Sequence, residues 1–202
     1  MENEVHTRTV DRFILTGPPG SGKTTIIRHL AEDGFATAEE AATDLIAAWQ
    51  RQGIDEPWTR PPFIDAIVET QRDRQIKLGD SASIQFYDRS PICTLVLANW
   101  LGHPVSDALR SEVERIRREK VYRPEVFFVR SLGFVTPTEV RRISLADSIR
   151  FGELHEDAYR ALGFKLLYID SATALQRVEA IKRSVGLFRE PGVASPGVDR
   201  PA

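Results

Sequence analysis

The amino-acid sequence predicts a three-layer α/β fold, a five-stranded, mainly parallel sheet with helices on both faces. Three observations predict it. Five short apolar runs alternate with stretches of helical periodicity between residues 11 and 186, the pattern of repeated strand–helix units. Several runs, Val126-Phe127-Phe128-Val129 among them, are apolar throughout rather than at every second position, as strands covered on both faces are. The length of 202 residues, with 42% hydrophobic and 28% charged side chains, suits one domain with a full core and no cross-links.

The elements follow in order. Residues 12 to 16, around Phe13, Ile14 and Leu15, make the first strand. A glycine-rich stretch then feeds a helix that starts near Thr25, carries Ile26, Ile27 and Leu30 on one face, and ends near Gly34, a residue suited to the position just past a helix. Residues 35 to 38 are a short second strand. A helix spans 39 to 52, with Ala42, Leu45, Ile46 and Trp49 at helical spacing, and Gly53 stops it. Pro57, Pro61 and Pro62 beside Trp58 mark 53 to 62 as loop; 63 to 78 is a weakly patterned helix.

The third strand covers 83 to 87. Ser90 caps the next helix, with Pro91 in its first turn. Ile92, Leu95, Val96, Leu97 and Trp100 surround that helix with apolar groups, which predicts burial. Ser106 caps another helix, with Leu109, Val113 and Ile116 on one face and Pro124 blocking its extension. The fourth strand is 126 to 129. Ser144 and Asp147 have capping-box spacing at the head of a helix that runs to Gly163. The fifth strand is 165 to 169, and a helix over 173 to 185 carries Leu175, Val178 and Ile181 inward. Residues 1 to 10 are polar and read as a flexible N-terminus. Residues 187 to 202, with Pro191, Gly192, Pro196, Gly197 and Pro201, read as a disordered tail.

Charge and cysteine content narrow the function. The net charge of −2 gives no global attraction for nucleic acid. Cys93 is the one cysteine, which excludes an intrachain disulfide and argues against a cysteine-based zinc site. There is no apolar run of membrane-spanning length, so the expectation is a cytoplasmic monomer or homodimer with no membrane partner.

Gly17-Pro18-Pro19-Gly20-Ser21-Gly22-Lys23-Thr24 fits the phosphate-loop pattern G-x-x-x-x-G-K-[ST] at every fixed position. Glycine is about 7% of an average protein, so chance supplies such a match in roughly one chain per hundred of this length. The flanking strand and helix lower that figure further. The bland alternative is a glycine-rich turn with an incidental lysine. Together the loop amides and the following helix N-terminus make an anion trap. Lys23 would reach the β- and γ-phosphates, the Thr24 hydroxyl would hold Mg²⁺, and Thr25 completes the candidate ATP-binding segment.

Phe86-Tyr87-Asp88-Arg89-Ser90 places Asp88 at the carboxyl end of the third strand, where such sheets bind ligands. Asp88 suits a Mg²⁺ ligand or an acceptor for a hydroxyl proton, and Arg89 a clamp for phosphate or substrate; alternatively the pair is a helix cap with an ion pair. Glu39-Glu40 ends the second strand. One of the two, Glu40 by preference, binds substrate or acts as general base, or both are solvated acids in a first helical turn. Residues 131 to 150 read as a lid: Arg130 ends the fourth strand, Thr136-Pro137-Thr138 opens a polar segment, and Arg141 and Arg142 stand where arginines neutralise migrating phosphate charge. A solvated basic turn is the alternative. Arg150 reads as a surface helix residue. Between Arg110 and Arg123, arginines interleave with Glu112, Glu114 and Glu119, the pattern of a solvated, salt-bridged helix. Trp58 lines a pocket or packs a loop. His29, His103 and His155 have no metal-ligand spacing.

The chain resembles the small AAA-type ATPase or kinase family of P-loop proteins, related to the nicotinamide riboside kinase domain and to nucleoside and nucleotide kinases. The resemblance covers about residues 11 to 186. It rests on GPPGSGKT, on Glu40-Ala41-Ala42, on Asp88-Arg89-Ser90, and on Arg142 ahead of a helix ending Tyr159-Arg160-Ala161-Leu162-Gly163-Phe164. It implies a nucleotide-kinase-like P-loop fold, Lys23 and Thr24 on ATP-Mg²⁺, Asp88 near metal or hydroxyl, Arg89 near the acceptor, and Arg142 in the lid. Thr43 stands where the family often has arginine. The function expected is transfer of the ATP γ-phosphate to a small-molecule hydroxyl or phosphate. Nucleotide hydrolysis and a non-catalytic nucleotide switch are the competitors. The guanine signature Asn/Thr-Lys-x-Asp is missing from the sequence, which favours ATP over GTP.

Overall fold

A computed structural model describes residues 10–134 and 143–187. Its elements, in chain order, are β1 (Asp11–Thr16), α1 (Lys23–Glu32), β2 (Ala36–Ala38), α2 (Ala41–Gln50), a 3₁₀ turn (Pro57–Thr59), α3 (Pro62–Leu78), β3 (Ile84–Asp88), α4 (Pro91–Leu101), α5 (Asp107–Arg118), β4 (Glu125–Val129), α6 (Leu145–Ala161), β5 (Lys165–Ile169) and α7 (Ala174–Leu187). The five strands form one sheet in the order β2-β3-β1-β4-β5, and every pairing is parallel. The chain winds from β1 toward β2 and β3, then crosses back to β4 and β5. The site belongs beside that reversal, outside the carboxyl ends of the strands.

The sheet is apolar on both faces because both are covered. Phe13 and Leu15 of β1 join Phe86 and Phe127 in a cluster with Ile26, Ile27 and Leu30 of α1 and Val178, Ile181 and Val185 of α7. Ile14, Tyr87 and Val126 face the other way, onto Ile92 of α4, Ile116 of α5 and Tyr159 of α6. Each such large apolar side chain contributes about 1.5–3 kcal/mol by leaving water. α3 extends this layer, packing Ile64 and Val68 with Ala98, Leu109 and Val113. Ala41 at the head of α2 is buried with Phe63 and Ile67 of α3.

All three serines expected to cap helices do so. Ser90 Oγ accepts from the amide of Ile92, Ser106 Oγ from Leu109, and Ser144 Oγ from Asp147. Several boundaries differ from the sequence expectation, for local reasons. α1 starts at Lys23, because Gly22 takes the capping position at φ 88°. α2 starts at Ala41, so Glu39 and Glu40 precede the helix, with Glu40 extended at φ −65°, ψ 117°. α3 starts at Pro62, since Pro61 already has helical backbone angles and proline is tolerated in a first turn. α7 continues to Leu187, which the composition had assigned to the tail. Thr136, Pro137, Thr138, Arg141 and Arg142, with the middle of the expected lid, lie outside the described residues; residues 145 to 150 belong to α6. α5 carries the expected ion pairs, but Glu112 is buried rather than solvated, held by Arg115 at 2.7 Å. Among the described residues no helix is long and apolar enough to cross a membrane.

Candidate functional site

The loop from Gly17 to Gly22 folds as a cradle because three glycines take left-handed backbone angles, Gly17 at φ 132°, Gly20 at 82° and Gly22 at 88°. At Gly17 a side chain has no room: a Cβ would stand 2.3 Å from the carbonyl oxygen of Val129. The helix that follows opens without a side-chain cap. The amides of Lys23, Thr24 and Thr25 have no intrahelical carbonyl to meet, and they point into the cradle with the positive end of the helix dipole. Lys23 Nζ is folded over the loop, donating to the carbonyls of Gly17 (3.1 Å) and Pro18 (2.9 Å) and to Ser21 Oγ (3.2 Å). Burial, reinforced by the charge of Arg89, lowers Lys23 to about 7 against the pull of Asp88 and Glu40. An ammonium so poorly compensated is built to receive an anion.

Two elements hold the cradle from outside. Arg177 of α7 donates to the carbonyls of Ser21 (2.5 Å), Asp170 (2.9 Å) and Arg130 (3.3 Å). α6 crosses the mouth: Ser148 donates to the Pro19 carbonyl at 2.8 Å, and Gly152 lies so close to Pro18 that a Cβ would stand 3.2 Å from its ring.

Register brings the acidic residues to the same edge. Leu15 pairs with Asp88, and Ala36 to Ala38 of β2 run alongside Gln85 to Tyr87 of β3. Thr24 Oγ1 donates to Asp88 Oδ2 at 3.1 Å, while Asp88 Oδ1 is buried with no partner. Burial first, then Glu40, raises Asp88 to about 6, against Lys23, Arg89 and the Thr24 hydroxyl. A hydroxyl and a half-satisfied carboxylate make a hard oxygen donor set beside the phosphate cradle. That set suits Mg²⁺, which takes one or two protein oxygens and completes its shell with water and phosphate. Among the described residues no cluster of three or more His, Cys, Asp or Glu is placed to hold a metal.

Arg89 sits in the left-handed region at φ 74°, anchored by its amide to the Leu15 carbonyl at 3.0 Å. Its Nε donates to Glu40 Oε1 at 2.5 Å, and its Nη1 lies 3.3 Å from His155 Nε2. Glu40 also accepts from Thr43 Oγ1 at 2.9 Å, so the threonine in the arginine's place orients the carboxylate. Burial alone would raise Glu40; Arg89 and Lys23 outweigh it and hold the carboxyl at about 2. Glu39 points away, exposed, with its carbonyl accepting from Arg74.

A cleft of about 840 Å³ joins these parts. One end is the cradle, with Thr24 and Thr25 on its rim. Between α2, α3, α4 and α6 the other end is walled by Trp58, Phe63, Leu97, Trp100 and Phe151. Gln71 supplies a polar point on that wall. Its Oε1 accepts from Thr94 Oγ1 at 2.9 Å, which leaves the carboxamide N–H₂ for the cleft.

The structure therefore brings Lys23, Thr24, Asp88, Arg89 and Glu40 together and leaves Arg130 and Arg150 outside. Arg130 stacks on Tyr168 and pairs with Asp170, and Arg150 is exposed on α6. His29 pairs with Glu32, and His103 meets the Trp58 carbonyl. Sequence reasoning missed His155, Gln71 and Arg177. A signal existed for two of them. Ser148, Gly152, His155 and Tyr159 share one helical stripe of small or polar residues, and Arg177 is a charge adjoining the apolar stripe of α7.

Strand order, cradle and the Thr24–Asp88 pair define a P-loop protein with a nucleotide-kinase-like fold. A family profile described as an AAA domain matches residues 12–177, and the chain belongs to that family. No curated protein matches the sequence. Among solved structures, NadR protein in complex with NAD and AMP-PNP aligns with a TM-score of 0.63 at 19% identity, over 92% of this chain and 52% of NadR. The chain thus spans about half the length of that relative. Deoxyadenosine kinase from M. mycoides, with products dCMP and dCDP, aligns with a TM-score of 0.59 at 14% identity, over 88% of this chain and all of the kinase.

Proposed function

We propose that the protein is a cytoplasmic, ATP-dependent kinase that moves the γ-phosphoryl group to a hydroxyl of a small molecule carrying a planar ring, with nucleosides as the leading class. The observation that carries this reading is the buried, unpartnered Asp88 Oδ1 beside Thr24, set between an anion cradle and an aromatic-walled cleft. A hydrolase needs the cradle but has no use for that far wall. The fold likeness to a nucleoside kinase supports the same choice.

In this reading the cradle amides and Lys23 hold the β- and γ-phosphates, and Thr24 and Asp88 would hold Mg²⁺, which would supply charge neutralisation for the phosphates. Glu40, ionised throughout the physiological range, accepts a hydrogen bond from the acceptor hydroxyl, and Arg89 fixes Glu40 and the acceptor side of the migrating group. The acceptor oxygen bonds to phosphorus, the bond to the ADP oxygen breaks, and the acceptor proton leaves through Glu40 to solvent. Phosphoryl transfer asks mainly for such positioning and charge neutralisation. Arg142 would add a lid charge. Gln71 would meet a ring edge that presents a hydrogen-bond acceptor.

The test is incubation with ATP-Mg²⁺ and pools of nucleosides, nucleotides, sugars and aromatic antibiotics, followed by mass spectrometry. One phosphorylated ring-bearing alcohol supports the reading. Phosphate release with no product makes the protein a hydrolase, and tight ATP binding with neither makes it a switch.

A further inference from the structure

We propose that His155 is a positioning residue for Arg89: its neutral imidazole presents the Nε2 lone pair to the guanidinium and, opposite Glu40, fixes the direction in which Arg89 points into the cleft. The functional consequence rests on the kinase reading; the arrangement of the two side chains does not.

The tautomer follows from the partners. His155 Nδ1 lies 2.7 Å from the carbonyl of Phe151, a group that only accepts, so Nδ1 carries the proton. Nε2 lies 3.3 Å from Arg89 Nη1, and a guanidinium only donates, so Nε2 is the bare nitrogen. The ring stands edge-on to Phe151, with centroids 4.5 Å apart at 90°, and is fully buried; it cannot turn over to exchange the two nitrogens without losing both contacts. From the opposite side Glu40 takes the Nε proton of the same guanidinium. Two acceptors, Glu40 just ahead of α2 and His155 on α6, thus grip one arginine. The grip is needed because Arg89 leaves its strand with a left-handed backbone, a conformation that persists only where surroundings over-determine it.

The location adds a second role. Ser148, Gly152, His155 and Tyr159 recur on one face of α6. The first two touch the phosphate loop at Pro19 and Pro18. Tyr159 meets Ser90 Oγ at 2.7 Å and Cys93 Sγ at 3.2 Å. One rigid helix therefore registers the nucleotide cradle against the Asp88-Arg89-Ser90 turn, and His155 is its contact with the guanidinium. The other ionisable groups around it are Cys93 from α4, whose thiol also hydrogen-bonds to the imidazole and, against the effect of burial, is lowered by it, Tyr159 from its own helix and Glu40 across the arginine.

Nitrogen-15 NMR of the full chain labelled at histidine tests this without any ligand. The His155 resonances are assigned by their loss in His155→Gln. At pH 7 the expected state is the neutral Nδ1–H tautomer, with an Nε2 shift that moves in Arg89→Gln. An Nε2–H tautomer, an imidazolium, or an Nε2 shift indifferent to Arg89→Gln overturns the proposal. Kinetics with the nucleoside pool give the functional arm. His155→Phe keeps a planar aromatic side chain, with a ring one atom larger, and removes the lone pair; it should raise the acceptor KM about tenfold, the loss of one hydrogen bond to a charged group, with affinity for a fluorescent ATP analogue held within about twofold. His155→Gln retains an acceptor oxygen and should recover most of the loss. Equal damage in both variants, or damage to ATP binding, would mean a packing role and overturn it. If wild-type protein phosphorylates nothing in the pool, the kinase reading fails and the NMR result alone decides the Arg89 contact.

Discussion

Arg177 Nη1 donates to the carbonyl of Ser21 at 2.5 Å, across 156 residues of sequence. The same guanidinium reaches the carbonyls of Arg130 and Asp170, just past the ends of β4 and β5, so the last helix fastens the phosphate loop to the sheet from outside the cradle. Substituting Arg177 by Met should leave buried carbonyls unpaired at a cost of about 1–3 kcal/mol. Each kcal/mol lowers Tm by about 2–4 °C at this chain length. ATP affinity should fall as well. A thermal melt and an ATP titration check both, and a variant of unchanged affinity would leave Arg177 a purely structural contact.

Gly17 admits no side chain. Gly17→Ala would press a methyl group into the Val129 carbonyl and hold a left-handed backbone against a Cβ. We expect a loss of about 2 kcal/mol or more, read from urea denaturation, together with loss of ATP binding. Gly20→Ala should also weaken nucleotide binding.

Lys23 should make ATP binding pH-dependent. Its pKa in the folded protein, about 7 against an ordinary 10.5, leaves much of it neutral above pH 7. A triphosphate favours the ammonium, so binding takes up a proton and weakens as pH rises through about 7. Calorimetry in buffers of different ionisation enthalpy measures that proton. Lys23→Arg should abolish the dependence, and Lys23→Ala should weaken ATP by about 10- to 100-fold.

Asp88 titrates in the opposite sense. Raised to about 6 by burial and Glu40, it loses its charge as pH falls through that value, so turnover should decline below pH 6 and the decline should ease as Mg²⁺ is raised. Asp88→Asn should fold and lose at least about 10²-fold in turnover. Because the folded pKa exceeds the free value of 3.8, the ionised carboxylate destabilises the ligand-free protein above pH 6, and below pH 3.8 the difference vanishes. Asp88→Asn should therefore raise the ligand-free Tm at pH 8 and leave it nearly unchanged at pH 3.5. A lower Tm at pH 8 would contradict this.

Glu40→Gln should free one side of Arg89. The expected result is a raised acceptor KM with ATP affinity little changed, measured by steady-state transfer at saturating ATP. A change confined to ATP affinity would place Glu40 on the nucleotide side instead.

The sheet and the cradle were legible because their signals are local. Phe13-Ile14-Leu15 reads as a buried strand from its own composition, and the glycine and lysine spacing after it has one structural use. Glu40, Asp88 and Arg89 were legible as candidates because strand ends in a parallel sheet share one edge. Of the far wall of the cleft only Trp58 was legible, as lining a pocket or packing a loop. Trp58, Phe63, Gln71 and Trp100 come from three separate elements, and only packing shows that they enclose one space. His155 escaped because its stripe with Ser148, Gly152 and Tyr159 does not say what it faces; its meaning comes from Phe151 on one side and Arg89 on the other. α1 and α2 were misplaced by two residues at their starts, where a left-handed glycine and an extended glutamate decide the boundary rather than helix propensity.

The parallel sheet has a further consequence for anyone building on this scaffold. All the chemistry sits at one rim, and the turns leading from helices into strands occupy the opposite rim, some of them secured, as where Arg12 and Gln85 both bind the Gly79 carbonyl. The turn at Leu162, Gly163 and Phe164, between α6 and β5, lies on that remote rim; nothing stands within 4 Å of a Cβ placed on Gly163, but its left-handed φ of 83° requires that the glycine itself be kept and the addition be made beside it. It is the natural graft point for a fluorescent reporter or an immobilisation tag that leaves nucleotide handling untouched.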